Sequence, residues 1–156
     1  MSKIKSFKIF ESELSMESTK QYVLEILIDV KLKLDDDLSV SYLIGEKTRS
    51  YFFIELNDDA YSLKGSDSDH EDSVEFKLNN DDVADLKSAI NYLNQEGFTG
   101  VRLCISKDEE DNFDELNNDI TLEQAKERLD SIVDIPIEYM EIRLFLPIDN
   151  KKSLSI

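Results

Sequence analysis

Apolar and polar residues alternate first with the period of a strand and later with the period of a helix. In QYVLEILIDVKLKL, residues 21–34, Tyr22, Leu24, Ile26, Ile28, Val30, Leu32 and Leu34 fall on every second position. Successive strand side chains point to opposite faces, so this alternation predicts one long strand with a single apolar side. Asp35, Asp36 and Asp37 predict a turn into LSVSYLI, where Leu38, Val40, Tyr42 and Ile44 alternate again. Gly45 ends that strand, and SYFFIEL (50–56) supplies the next. Short, turn-rich connections between alternating runs favour an antiparallel meander. KIKSFKIF near the start and SVEFKL (73–78) are weaker strand candidates.

The period then lengthens. In NDDVADLKSAINYLNQEG, residues 80–97, Val83, Leu86, Ile90 and Leu93 recur at helical spacing. Asn80 suits an N-cap, Asp81 and Asp82 complement the positive end of the helix dipole, and Gly97 suits the left-handed C′ position. GVRLCIS follows as a strand with Val101, Leu103 and Ile105 on one face. Thr121 and Gln124 form a capping-box pattern for a second helix, whose apolar stripe is Leu122, Ala125, Leu129 and Val133. Pro136 stops it, and EYMEIRLFLPI predicts a last strand through Met140, Ile142, Leu144 and Leu146.

This order predicts an α+β fold: a largely antiparallel sheet of about six or seven strands with two helices in the C-terminal half, packed on one face. The 156 residues suit a single domain, 1–156, with residues 148–156 expected as a flexible tail. Cys104 is the only cysteine, which leaves no intramolecular disulfide. No stretch approaches the ~20 apolar residues of a membrane span, and MSKIKSFKIFESELS lacks the apolar core of a signal peptide. The expected compartment is the cytoplasm.

Charge narrows the picture further. The net charge is −17, which disfavours direct contact with nucleic acid or anionic lipid. Strong hydrophobic patterning argues against an acidic disordered chain. Lysine supplies 14 of the 18 basic residues, which argues against salt adaptation. The charge is also unevenly placed: net −1 over residues 1–50, −14 over 51–119 and −2 over 120–156. Such asymmetry marks a candidate electrostatic face. Its densest part is DEEDNFDELNND, residues 108–119, where seven of twelve residues are acidic.

Candidate chemistry is thin. His70, the single histidine, sits in the polar stretch GSDSDHEDSVE, where its carboxylate neighbours favour the protonated form and a solvated loop role. Cys104 shares a sheet face with Arg102, which can activate a thiol, but a lone cysteine is ordinarily a packing residue. The acidic runs starting at Asp67 and Asp108 miss the EF-hand pattern, with Asp72 and Phe113 at the glycine position and Leu78 and Asp119 at the glutamate position. No phosphate-binding glycine loop, zinc spacing or basic recognition helix is present, and no metal or cofactor is expected.

The leading expectation is therefore a non-enzymatic acidic binding protein that occludes a basic, nucleic-acid-binding surface of a partner protein. A toxin immunity protein and a phage-encoded anti-defence inhibitor are its two biological forms. The expected partner-binding residues are Asp108, Glu109, Glu110, Asp111, Phe113, Asp114 and Glu115, joined by Asp67, Asp69, Glu71 and Asp72. Phe113 and Leu116 share a helical face, so they serve either as an interface anchor or as a pin to the protein's own core. The bland alternative is a solubilising loop. A different class, an assembly subunit or homo-oligomer, draws on the long alternating strand at 22–34, because exposed strand edges invite pairing. An enzyme ranks third.

Overall fold

A computed structural model describes residues 15–45, 47–56, 75–106 and 117–147. The chain begins there with a helix over residues 15–26 (α1), followed after Leu27 by α2, Ile28–Leu34. A single 3-10 turn, Asp35–Asp37, leads into β1, Leu38–Leu43, and β2, Tyr51–Leu56. Helix α3 spans Asn80–Gln95, β3 Gly100–Ser106, α4 Leu122–Ser131 and β4 Tyr139–Phe145. The four strands form one sheet in the order β1-β2-β4-β3, antiparallel throughout.

The α+β class holds, but six or seven strands with two helices do not: the described residues form four strands and four helices. The largest correction is residues 21–34, which are helical. Met16, Val23, Leu27 and Val30 are buried at helical spacing. The alternating set does not share a face: Tyr22 and Ile28 are each 52% exposed and Leu32 76%. Val23 and Leu27 interrupt the alternation at its polar positions, and these two violations are the residues that enter the core. The remaining composition, rich in Leu, Glu and Lys, favours helix as well. The described part of SVEFKL, residues 75–78, also forms no strand of the sheet: Phe76 and Leu78 make isolated bridges to Ile137 and Val133. KIKSFKIF and the tail at 148–156 lie outside the described residues.

Strand register explains the layering. Along β4, Met140, Ile142 and Leu144 point to one face and are fully buried. They pair with Leu56, Ile54 and Phe52 on one side and with Ile105, Leu103 and Val101 on the other. These residues, together with Leu38 and Val40 of β1, form one apolar cluster with Val23, Leu27 and Val30 of α1–α2, with Leu86, Ile90 and Leu93 of α3, and with Ala125 and Leu129 of α4. All four described helices thus cover one face of the sheet, which follows from each having only one apolar stripe to bury.

Local signals fix the helix ends. The N-cap of α3 is Asn79, one residue before the expected Asn80: its side chain accepts from the Asp82 amide, and the Asp82 carboxylate accepts from the Asn79 amide. Thr121 and Gln124 make the same reciprocal pair on α4, as the sequence predicts. Gly97 follows α3 at φ +107°, a conformation that disfavours any residue with a Cβ. Helix α1 docks on α3 through Tyr22 stacked on Tyr92, with ring centroids 4.6 Å apart.

The helical assignment of residues 21–34 makes a direct prediction. Leu27→Ala should cost about 2–5 kcal/mol in equilibrium urea unfolding. Ile28→Ala, on the face that the strand reading would bury, should stay within about 0.5 kcal/mol of the parent protein.

Candidate functional site

Two regions gather charged side chains, and both follow from the one-sided core. The first is the corner where α2 meets the start of α3. Lys33 of α2 bonds the Asp82 carboxylate at 2.6 Å, tying the two helices together. Asp82 is buried, and its other contact is the capping hydrogen bond from Asn79, so its charge is compensated inside the fold. Asp29 of α2 and Asp81 and Asp85 of α3 crowd the same corner. Burial, followed by repulsion from Asp29, Asp82 and Asp81, holds the Asp85 carboxyl above the usual aspartate range. Asp29 and Asp81 are exposed to solvent, so this corner presents negative charge outward.

The second region is the sheet face turned away from the helices. Its side chains come from the alternate positions of each strand: Tyr51, Phe53 and Glu55 on β2, Tyr139, Glu141, Arg143 and Phe145 on β4, and Gly100, Arg102 and Cys104 on β3. At one end, Asp119 accepts from Arg49 at 3.0 and 3.3 Å and from Arg102 at 2.6 Å. Both guanidiniums lie over the Phe145 ring, at 4.4 and 4.8 Å from its centroid. The hydrogen bonds from Arg49 and then Arg102 hold the Asp119 carboxyl below the usual aspartate range. Gly100 makes room for this stack, since a Cβ there would sit 2.9 Å from the Arg49 Nη1.

At the other end, the Tyr139 hydroxyl lies 2.6 Å from Glu141 and 2.8 Å from Glu55. A phenol has one hydrogen, so it donates to one carboxylate at a time. Burial, reinforced by the two carboxylates, pushes the Tyr139 hydroxyl far above the usual phenol range. Arg143 bonds Glu141, which is 5% exposed at the centre of the sheet, and also lies over the Tyr51 ring at 5.6 Å. Two carboxylates, one guanidinium and one phenol thus form a hydrogen-bonded network of the kind that orients side chains.

The residues singled out from sequence divide accordingly. Asp67, Asp69, Glu71 and Asp72 lie outside the described residues, as do His70 and the run Asp108, Glu109, Glu110, Asp111, Phe113, Asp114, Glu115 and Leu116. Asp119, the last residue of the acidic run, is described, and it is held by two arginines of its own chain. Cys104 does share the Arg102 face, opposite Glu141 in register, and is buried. Sequence reasoning gave Asp81 a helix-dipole role and passed over Asp29 altogether, because a strand at 21–34 places Asp29 away from any helix. The recoverable signal was the helical spacing of Val23, Leu27 and Val30.

Among the described residues, no group of three or more His, Cys, Asp or Glu is arranged to hold a metal ion, and no helix is long and apolar enough to cross a membrane. The fold and these two regions define an α+β protein with one helix-covered sheet face. No protein-family model, curated protein or solved structure matches the chain.

The two shifted aspartates predict opposite pH behaviour. The lowered value of Asp119 means that its contribution is fully present above its unfolded value of about 4 and fades as pH falls through the folded value. Asp119→Asn should therefore lower the melting temperature at neutral pH, by an amount worth about 1 kcal/mol or less given its exposure, with the difference closing in acid. The raised value of Asp85 reverses the sign: the ionised group opposes folding once pH exceeds its folded value. Asp85→Asn should raise the melting temperature at neutral pH, and this gain should vanish below about pH 4. Thermal unfolding monitored by circular dichroism from acid to neutral pH reads both.

Proposed function

We propose that this protein is a non-enzymatic acidic binding protein that covers a basic, nucleic-acid-binding surface of a partner protein. An immunity protein against a nuclease toxin and a phage-encoded inhibitor of a nucleic-acid-targeting defence system both fit this description. The observation that carries the reading is the charge: −17 overall, with −14 of it within residues 51–119. Carboxylates set opposite lysines and arginines compete with phosphates for the same cleft and speed encounter by steering. The proposed contact residues are the acids of 108–115 and 67–72, together with Phe113.

The folded acids qualify this proposal in a useful way. Asp82 and Asp119 are paired internally with Lys33 and with Arg49 and Arg102, so these two do not add to an outward field. Asp29, Asp81 and Asp85 do the opposite: they meet from two helices, where burial and then the neighbouring carboxylates raise the Asp85 carboxyl. That corner supports the reading independently of the acidic runs. The assembly reading has lost its strand at 22–34; the exposed Ile28 and Leu32 on α2 are what remains to favour it.

Affinity capture from the native host at low salt tests the proposal. A basic nucleic-acid-binding protein should be retained and should elute as salt rises toward ~0.5 M, because screening shortens the reach of exposed charges. Changing Asp108, Glu109, Glu110 and Asp111 together to Lys should slow association with that partner by roughly 10-fold or more. A partner whose binding survives both high salt and the fourfold change would refute polyanion mimicry.

A further inference from the structure

Strand register sets two carboxyl groups opposite each other on the sheet face turned away from the helices. Glu55 on β2 is the cross-strand partner of Glu141 on β4, and Glu141 is 5% exposed. Like charges directly opposite on neighbouring strands oppose pairing. Among the described residues, the groups facing this pair come from all four strands. Strand β1 places Ser39 beside Glu55, and β3 places Cys104 beside Glu141 with Arg102 and Ser106 next along the same face. Strand β4 itself adds Tyr139 and Arg143. Arg102 bonds Asp119, and Arg143 bonds Glu141.

One hydroxyl bridges the two carboxyls. The Tyr139 oxygen lies 2.6 Å from Glu141 Oε1 and 2.8 Å from Glu55 Oε2. Oxygens approach this closely with a hydrogen between them, because bare lone pairs repel. Two such contacts need two hydrogens, and the phenol supplies one. The second therefore belongs to a carboxyl. This count holds whatever else the three oxygens touch. The distances say which carboxyl it is. A hydroxyl donating to an ionised carboxylate spans about 2.5–2.7 Å, which matches Glu141, and a bond between neutral oxygens about 2.7–2.8 Å, which matches Glu55. Arg143, bonded to the other oxygen of Glu141, balances a negative charge there.

We infer that Glu55 carries a proton in the folded protein at neutral pH and donates it to the Tyr139 oxygen, which donates in turn to ionised Glu141. Each contact then has its own hydrogen, and the charge of Glu141 is met by that of Arg143. Two carboxyls that share one site hold a proton between them in this way, and they titrate as a pair. In the unfolded chain Glu55 is ionised above about pH 4.3, so folding at neutral pH takes up a proton. The sign of the pH effect follows. The stability that protonated Glu55 contributes is fully present below its unfolded value and is lost as pH rises through the higher folded value. Loss of the proton leaves two like charges in register and strips a hydrogen bond from the junction of β2 with β4. The centre of the sheet is thereby a pH-sensitive latch, separate from any capture of a basic partner by the acidic exterior.

Infrared spectra of the full chain in deuterated buffer read the proton directly. At neutral pD the parent protein should show the C=O stretch of a neutral carboxyl, and Glu55→Gln should lack it. The glutamine keeps an N–H to donate to the Tyr139 oxygen, so this variant retains the bond while removing the titration. Thermal unfolding supplies a second readout with a defined sign. From about pH 5 to about pH 7, the melting temperature of Glu55→Gln should rise relative to that of the parent by roughly 5 °C or more. Glu55→Ala, which has no donor, should melt below Glu55→Gln at both pH values. An ionised Glu55 requires the reverse, with the glutamine variant losing ground as pH rises. A spectrum without the neutral-carboxyl band at neutral pD, a band that survives Glu55→Gln, or a melting difference of that reversed sign would each overturn the inference.

Discussion

The structure depends on the burial of one face of a four-stranded sheet, centred on Met140, Ile142 and Leu144 of β4. These three side chains are fully buried and meet apolar partners in register on both neighbouring strands. Each described helix has a single apolar stripe, and all of them pack into one cluster with this face. The charged strand residues Glu55, Arg102, Glu141 and Arg143 consequently fall on the opposite face, and the helix acids turn toward solvent except Asp82, which is buried against Lys33. The positions available for function follow from that division.

Within it, the basic residues have distinct duties. Arg49 and Arg102 clamp Asp119 and stack on Phe145, while Arg143 bonds Glu141 and lies over Tyr51. Arg128 donates to the carbonyl of Leu103, fastening α4 to β3. Arginine suits such use, because its planar fork bonds and stacks at once. Among the described residues, Asp29 and Asp81 stay exposed to solvent where they meet Asp85.

The strand reading of residues 21–34 shows how a correct observation leads to the wrong element. Seven apolar residues do recur at every second position, but a helix tolerates such a run when its core residues are supplied by others. Val23 and Leu27, which break the alternation, complete the i, i+4, i+7 series with Val30 and carry the burial. The error carried over to charge, since it hid the meeting of Asp29 with α3. For the acidic run, the sequence located the density of carboxylates but not the role of its last member: Asp119 is engaged by arginines that lie 70 and 17 residues away in the chain.

The sequence by itself determined what depends on near neighbours: the capping box of Thr121 and Gln124, the left-handed Gly97, the antiparallel β1–β2 hairpin, the inner faces of β3 and β4, and the overall acid excess. Each is set by interactions within a few residues or by composition alone. Only the tertiary structure decided which period of residues 21–34 prevails, which strand lies at the edge, and which carboxylates are neutralised internally. Those outcomes depend on contacts between distant segments, whose free energy appears only when the helices and the sheet bury their apolar surfaces together.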